Sequence, residues 1–326
     1  MSVLEVKNLQ TNFYTRAGII RAVDNVSFSV NRGETLAVVG ESGCGKSVTA
    51  LSVLRLIPSP PGRIDGGEIL LKGRDLLKLT PGEMRALRGS QVSMIFQEPM
   101  TSLNPVHRVG FQIGETILAH ENISKRDVTN RCLDLLELVG IPDPNRCIRE
   151  YPHRLSGGMR QRVMIAMAVA CNPAVLIADE PTTALDVTVQ AQVLKLLKRL
   201  KDELGLALIL ITHDLGVVAE TADKVIVMYA GRKVEEGSTV QIFKRPLHPY
   251  TSGLLGAIPR INHEQNCRDY LLKEIKGVVP PLLKRPKGCS FSPRCPRVLD
   301  KCRVEKPSLI SLSTDQQAAC FNPEDW

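Results

Sequence analysis

Apolar and polar residues alternate over 4–8 and 26–30, the period of two of half-buried strands, and Arg32-Gly33-Glu34 then turns the chain. Residues 36–39 are continuously apolar, and a helix-compatible segment follows at 48–54. A proline-rich loop at 58–62 leads to a strand pattern at 66–71, and 92–96 reads as a strand ending in Gln97-Glu98-Pro99. From about 99 to 155 the pattern turns helical, clearest over 131–139, with no convincing strand. The apolar run 175–178 ends in Asp179 and Glu180, and the run 206–212 ends in His213. Such runs describe parallel strands buried on both faces, which bring charge to the strand ends where open α/β sheets bind ligands. The pattern therefore predicts an α/β fold: a mixed or parallel sheet core, an antiparallel N-terminal β part and a helical insert.

The stretch Gly40-Glu41-Ser42-Gly43-Cys44-Gly45-Lys46-Ser47 lies between the apolar strand and the helix that Val48 opens. In that setting G-x-x-x-x-G-K-[ST] is a phosphate loop, because glycines let successive N–H groups point inward at phosphate oxygens. The helix start adds partial positive charge, Lys46 a point charge, and Ser47 a hydroxyl for Mg²⁺. These residues predict binding of a nucleoside triphosphate. Cys44 sits where loop N–H groups would lower a thiol pKa; a redox switch is one reading, a small side chain at a permissive position the other. Asp179 fits a Mg²⁺ ligand and Glu180 a general base on the attacking water. His213 reads as a γ-phosphate contact or as a plain loop residue. Phe13, beside Tyr14, reads either as a ring that stacks on adenine or as a partly buried edge aromatic. Leu155-Ser156-Gly157-Gly158-Met159-Arg160-Gln161 precedes a helix expected over 162–171; Ser156 suits its N-cap, and the glycines leave room for a second phosphate group.

Length adds an appendage to this picture, since 326 residues exceed one typical domain. The net charge of +8 is spread along the chain, so it describes a solvated surface, and no nucleic-acid partner is expected. No signal peptide is visible, and the longest uncharged run, residues 163–178, is broken by Asn172-Pro173. The expectation is a soluble, cytoplasmic chain, in which nine cysteines argue for metal or free thiols over disulfides.

With the phosphate loop, Gln97, Leu155 to Gln161, Asp179-Glu180 and His213 in this order, the chain resembles the ATP-binding-cassette ATPases over about residues 1–245. Leu155, Ser156, Gly157, Gly158 and Gln161 match that family's signature loop, Gln97 its Q-loop, Ala184-Leu185-Asp186 its D-loop, and Phe13 its adenine-stacking aromatic. The resemblance implies a head-to-tail homodimer or heterodimer with ATP held between one chain's phosphate loop and the other's signature loop. It implies Mg²⁺ held through Ser47, Gln97 and Asp179, and catalysis by Glu180 with His213 and Gln97. It also implies transmembrane permease partners, an indirect solute-binding protein, and a peripheral place on the cytoplasmic face of the membrane.

Residues 245–251 and 288–296 are similar to the ATPase subunits of dipeptide and oligopeptide importers, which makes 246–326 a small, loop-rich C-terminal domain. Nickel importers and some antimicrobial-peptide transporters share the pattern. Ten of the 21 prolines lie from Pro246 onward. Cys289, Cys295, Cys302 and Cys320 are spaced C-x₅-C-x₆-C-x₁₇-C, which fits neither the usual zinc spacing nor a ferredoxin run. The resemblance implies a 4Fe–4S cluster there; zinc and unliganded thiols stay open. Cys132, Cys147, Cys171 and Cys267 read as packing residues. Two other function classes fit the sequence less well. A soluble cassette acting on DNA or ribosomes usually shows a long coiled coil or two cassettes, whereas this chain has one phosphate loop. A redox sensor would make the cysteine centre dominant.

Overall fold

The computed structural model describes residues 2–97, 102–183, 185–258, 274–313 and 315–324. Pro99, where the helical insert was expected to begin, and Glu98, Ala184 and Cys267 lie outside them. Two strands expected to be short are long: β1 (Ser2–Thr15) and β2 (Gly18–Asn31). Their alternation breaks at Asn8 and Asn25, both left-handed (φ 49° and 60°), which is where the period of two stops being readable. β3 (Thr35–Val39) follows, then β4 (Gly62–Leu71) and β5 (Arg74–Asp75). One sheet has the order β2-β1-β4-β5.

The chain forms two compact units. The first takes residues up to 5, 29–35 and 69–211. Its strands β6 (Val92–Ile95), β7 (Val175–Asp179) and β8 (Ala207–Ile211) run parallel in the order β8-β7-β6. Every position of β7 and β8 is buried, as their unbroken apolar runs require. β6 stops one residue short of the expected end, and Phe96 is exposed. The described part of the insert is helical, with helices Val109–Leu118, Lys125–Leu138 and Pro144–Cys147. The next helix is Gly157–Val169, not 162–171. Its two leading glycines read as loop in the sequence, but once Ser156 caps them they form the first turn. Helix Val187–Leu204 then runs to Gly205, whose left-handed φ of 61° closes it.

The second unit takes 6–28, 36–68 and 212 onward. Here β9 (Lys224–Tyr229) pairs in parallel with residues 36–39 of β3, and β10 (Arg232–Ser238) pairs antiparallel with β9. The tail, expected to be loops, supplies β11 (Ile310–Ser313) and β12 (Gln316–Ala318), and the order is β11-β12-β10-β9-β3. Four- and three-residue strands are too short to leave a period in the sequence. The tail also reaches the core: Tyr250, from helix Pro249–Gly256, and Phe291 pack with Val39, Val227 and Tyr229. Ring centroids of Tyr229 lie 4.7 Å from Tyr250 and 5.2 Å from Phe291. Burying side chains of this size stabilises by about 1.5–3 kcal/mol each.

A buried carboxylate fixes where the tail starts. Glu235 accepts from the backbone N–H groups of Leu247 (2.8 Å) and His248 (2.9 Å) and from Gln316 Nε2 (2.8 Å). Burial raises its pKa against the opposing pull of these donors. His248 is buried beside it, with Nδ1 accepting from Tyr250 N–H (3.1 Å), and burial pushes its pKa down to about 3 from 6.5. The unfolded chain therefore takes up a proton on this imidazole below pH 6.5 that the folded chain refuses. The stability this contributes is present above pH 6.5 and is lost as pH falls toward 3, with a limiting slope of about 1.4 kcal/mol per pH unit. His248→Asn, whose amide oxygen replaces the acceptor and does not titrate, should flatten this slope by up to that amount. Urea unfolding at pH 7, 6 and 5 measures it, and equal slopes would show that His248 is not the group responsible.

Candidate functional site

The phosphate loop belongs to the second unit. Gly45 precedes the helix Lys46–Val53 with a φ of 101°, and a Cβ there would sit 2.3 Å from the Ala22 carbonyl. Only glycine meets both conditions. No side chain caps this helix start, which leaves its first-turn amides for an anion. Lys46 is buried and its Nζ donates to the carbonyls of Gly40 (2.7 Å) and Glu41 (3.2 Å). Ser42 and Gly43 are exposed; Ser47 and Val48 are half-buried. Of the two readings of Cys44, its surroundings favour the small packed side chain over the redox switch. It is fully buried, and desolvation raises its thiol pKa against the lowering pull of Lys46, so it is not an activated thiolate.

In the same unit, Phe13 is half-buried and its ring edge lies 3.0 Å from where a Cβ of Gly62 would stand. Tyr14 is the more exposed of the pair and donates to Asp65 (2.8 Å). Thr212 N–H donates to Val38 O (3.4 Å), which sets the exposed His213 level with the end of β3, just before the loop. Asp214 caps the next helix by accepting from the N–H groups of Gly216 and Val217.

The other candidate residues belong to the first unit. Ile95 of β6 stands opposite Ala178 of β7, so Gln97 and Glu180 leave the sheet at one level. Gln97 Nε2 donates to Glu180 Oε2 (3.0 Å), and Thr183 Oγ1 donates to the same oxygen (3.0 Å). Glu180 N–H still reaches Ile211 O, but its φ of 46° is left-handed. A non-glycine residue there carries strain of about 1–3 kcal/mol, characteristic of functional positions. Asp179, one residue earlier, is buried at the strand end.

In the signature stretch Leu155 is buried, while Ser156 and Gly157 are exposed. Ser156 Oγ accepts from Met159 N–H (3.3 Å). A Cβ on Gly158 would lie 2.9 Å from Val189, so this glycine also brings helix Gly157–Val169 close to helix Val187–Leu204. Asp186 is exposed and caps the latter helix through Val189 N–H (2.9 Å). Gln161, expected to meet a partner's nucleotide, is instead fully buried, with no hydrogen bond to either amide atom among the described residues. Its position on the helix turns it inward.

The four tail cysteines fall near one another. Cys289 N–H donates to Cys302 O (2.8 Å). Burial, then the charges of Cys289 and Cys302, raise the pKa of Cys295, and burial and the other three thiols raise that of Cys320 to about 11. They do not form a ready ligand set: among the described residues no three His, Cys, Asp or Glu side chains are disposed to hold a metal. Of the packing cysteines, Cys132 and Cys147 are buried and Cys171 is half-buried.

Sequence reasoning missed the contacts that tie the tail to the phosphate loop. Arg294 grips the Glu41 carboxylate with two hydrogen bonds, Nη1 to Oε2 (2.7 Å) and Nη2 to Oε1 (3.0 Å). Glu41 N–H donates to Tyr250 OH (2.9 Å), and Arg294 lies over the Tyr229 ring (5.9 Å). Glu41 raises the Arg294 pKa, so the guanidinium stays charged. The only signal was a glutamate in a variable loop position, with no register to link it to residue 294.

Two family models match the chain: "ABC transporter" over residues 23–183, and "Oligopeptide/dipeptide transporter, C-terminal region" over 234–302. The oligopeptide transport ATP-binding protein AppD of Bacillus subtilis is 51% identical over 324 residues, 99% of this chain and 98% of that protein. The dipeptide transport ATP-binding protein DppD of Escherichia coli is 50% identical over 325 residues, 100% of this chain and 98% of that one. Among solved structures, a dimeric ATP-binding cassette in a post-hydrolysis state with ADP and Pi shares a TM-score of 0.65 at 27% identity, covering 72% of this chain and 98% of that one. The motif order, the strand-end carboxylates and these matches agree: the chain belongs to the ABC transporter family, as an ATP-binding cassette ATPase.

Proposed function

We propose that this chain is the ATP-hydrolysing, energy-coupling subunit of a membrane importer of dipeptides or oligopeptides. The observation that carries the substrate class is the tail: residues 234–302 match the oligopeptide/dipeptide transporter region, and Arg294 and Tyr250 within them hold Glu41. Residues 1–245 serve as the cassette and 246–326 as the importer-type extension. No described helix is long and apolar enough to cross a membrane, so in this reading the chain acts at the membrane through permease subunits, with a solute-binding protein upstream.

In this reading Lys46 and the loop amides bind the triphosphate, and Phe13 stacks on adenine. Ser47 and Asp179 are hard oxygen donors suited to Mg²⁺, which neutralises phosphate charge when bound, with Gln97 beside them in the sequence order of the family. Glu180 takes the proton of the attacking water. The Gln97 and Thr183 hydrogen bonds hold its carboxylate in place, and His213 contacts the γ-phosphate. Leu155, Ser156, Gly157, Gly158 and Asp186 meet the nucleotide of a second cassette, and the exposure of Ser156, Gly157 and Asp186 supports that role. Nucleotide binding then closes the pair and hydrolysis reopens it. Cys289, Cys295, Cys302 and Cys320 match the ligand number of a cubane cluster, but among the described residues they are not set as ligands, and the structure lends the iron–sulfur reading no support. No step of the mechanism runs through them.

Deleting the chain in its host should abolish uptake of radiolabelled di- and oligopeptides, and plasmid-borne chain should restore it; unchanged uptake would remove the peptide assignment. Glu180→Gln keeps the shape of the side chain and removes the base. ATP turnover should fall by about 10²–10⁴ while ATP binding survives. A variant that turns over near the wild-type rate would move the base elsewhere. Protein purified anaerobically should carry about four irons per chain if the cluster reading holds. A colourless preparation holding one zinc per chain would make the site a zinc site, and a metal-free one would leave the cysteines as thiols.

A further inference from the structure

The second unit contains a cavity of about 540 Å³ that none of the residues 40–48 lines. Its lining includes the polar Asn8, Asn25 and Ser27 from β1 and β2, and Ser290, Lys306 and Leu309 from the tail. Val234 and Pro307 add apolar surface. The site is distinct from the phosphate loop and has no part in the reading of hydrolysis above.

Its charge is unbalanced. Asp24 is the one carboxylate on the lining, and two guanidiniums already hold it: Arg232 through Nε (2.9 Å) and Nη2 (2.6 Å), and Arg285 through Nη2 (2.5 Å). Burial pushes the Asp24 pKa up, but these two partners outweigh it and leave it low. Lys306 adds a further cation on the rim, and Arg21 stands within electrostatic reach. Arg232, Arg285 and Arg21 all act against the Lys306 charge, and Asp24 alone acts for it. Lys233, also on the lining, is committed to Ser27 O and Glu236 and does not add to the surplus. Like charges gathered around one counter-ion at a concave surface make a field that draws anions.

Ser290 contributes to the lining, but its Oγ is buried away from the cavity, so the case for a ligand rests on the charge of the lining. Two or more negative charges would answer the surplus of cations. The apolar wall of Val234, Pro307 and Leu309 leaves room for an organic body, which inorganic phosphate lacks. We propose that this cavity binds a small organic molecule carrying two or more phosphate groups, with Lys306 and Arg232 meeting the phosphates.

Fructose 1,6-bisphosphate and 2,3-bisphosphoglycerate are suitable probes, since neither is a nucleotide. Titration calorimetry on the full chain, with ADP and Mg²⁺ filling the phosphate loop, should show saturable binding of at least one probe. Lys306→Gln should weaken it by about tenfold or more, the usual effect of losing a charge-assisted hydrogen bond. Lys301→Gln, outside the lining, should leave it unchanged, as should Lys46→Ala. Lys306 is exposed, so its variant should fold like the wild type and the loss would report on binding. No saturable binding of either probe, or wild-type binding by the Lys306 variant, would overturn the site. Binding lost in Lys46→Ala but kept in Lys306→Gln would place the anion in the phosphate loop instead.

Discussion

A loop that offers its own amides to a phosphate has to be held open without using those amides on itself. Most of the second unit is arranged around that constraint. Gly45 lets the chain pass against the Ala22 carbonyl where any Cβ would collide. The Cys44 carbonyl accepts from Gly231 N–H (2.9 Å), which fixes the loop from the outside. The Lys46 ammonium draws in the carbonyls of Gly40 and Glu41. The Glu41 and Cys44 amides are already bonded, to Tyr250 OH and to Glu41 O, but the uncapped helix start leaves its first-turn amides for an incoming anion, and the lysine carries the charge to meet it.

The first unit solves a related problem by register. Parallel pairing of β6 with β7 and of β7 with β8 ends the strands together, so Gln97, Asp179 and Glu180 emerge within two residues of the last paired position. The backbone at Glu180 then turns left-handed, and the Gln97 and Thr183 donors gather on one of its oxygens. A flexible glutamate at a sheet edge would spread over several rotamers. Here hydrogen bonds from Gln97 and Thr183 hold the side chain in one orientation, which is what the base role proposed for Glu180 would need.

How much of this was legible follows from where the information lies. Continuous apolar runs identified β3, β7 and β8, because full burial leaves no polar interruption. The loop residues 40–47 and the carboxylates after β7 were legible because their chemistry depends on residue type and short spacing. The reach of β1 and β2 was not, since Asn8 and Asn25 break the alternation with left-handed turns inside the strands. The inward face of Gln161 was not, because a motif gives identity without helical phase. Nor was the clamp on Glu41, since 253 residues separate it from Arg294 and no periodicity spans such a gap.

That clamp gives the tail its place in the argument. A surface ion pair contributes little, but Arg294 is held from several sides: the Ile275 and Lys276 carbonyls accept from it, and the Tyr229 ring lies beneath it. A guanidinium fixed in this way loses little further entropy when it pairs, and its two bonds to Glu41 set the loop's second residue in both position and rotation. Glu41 N–H is directed at the same time into the buried Tyr250 hydroxyl. The backbone that opens the phosphate loop is therefore anchored to residues of the C-terminal region, and any shift of Arg294 or Tyr250 reaches the loop through two contacts of fixed geometry.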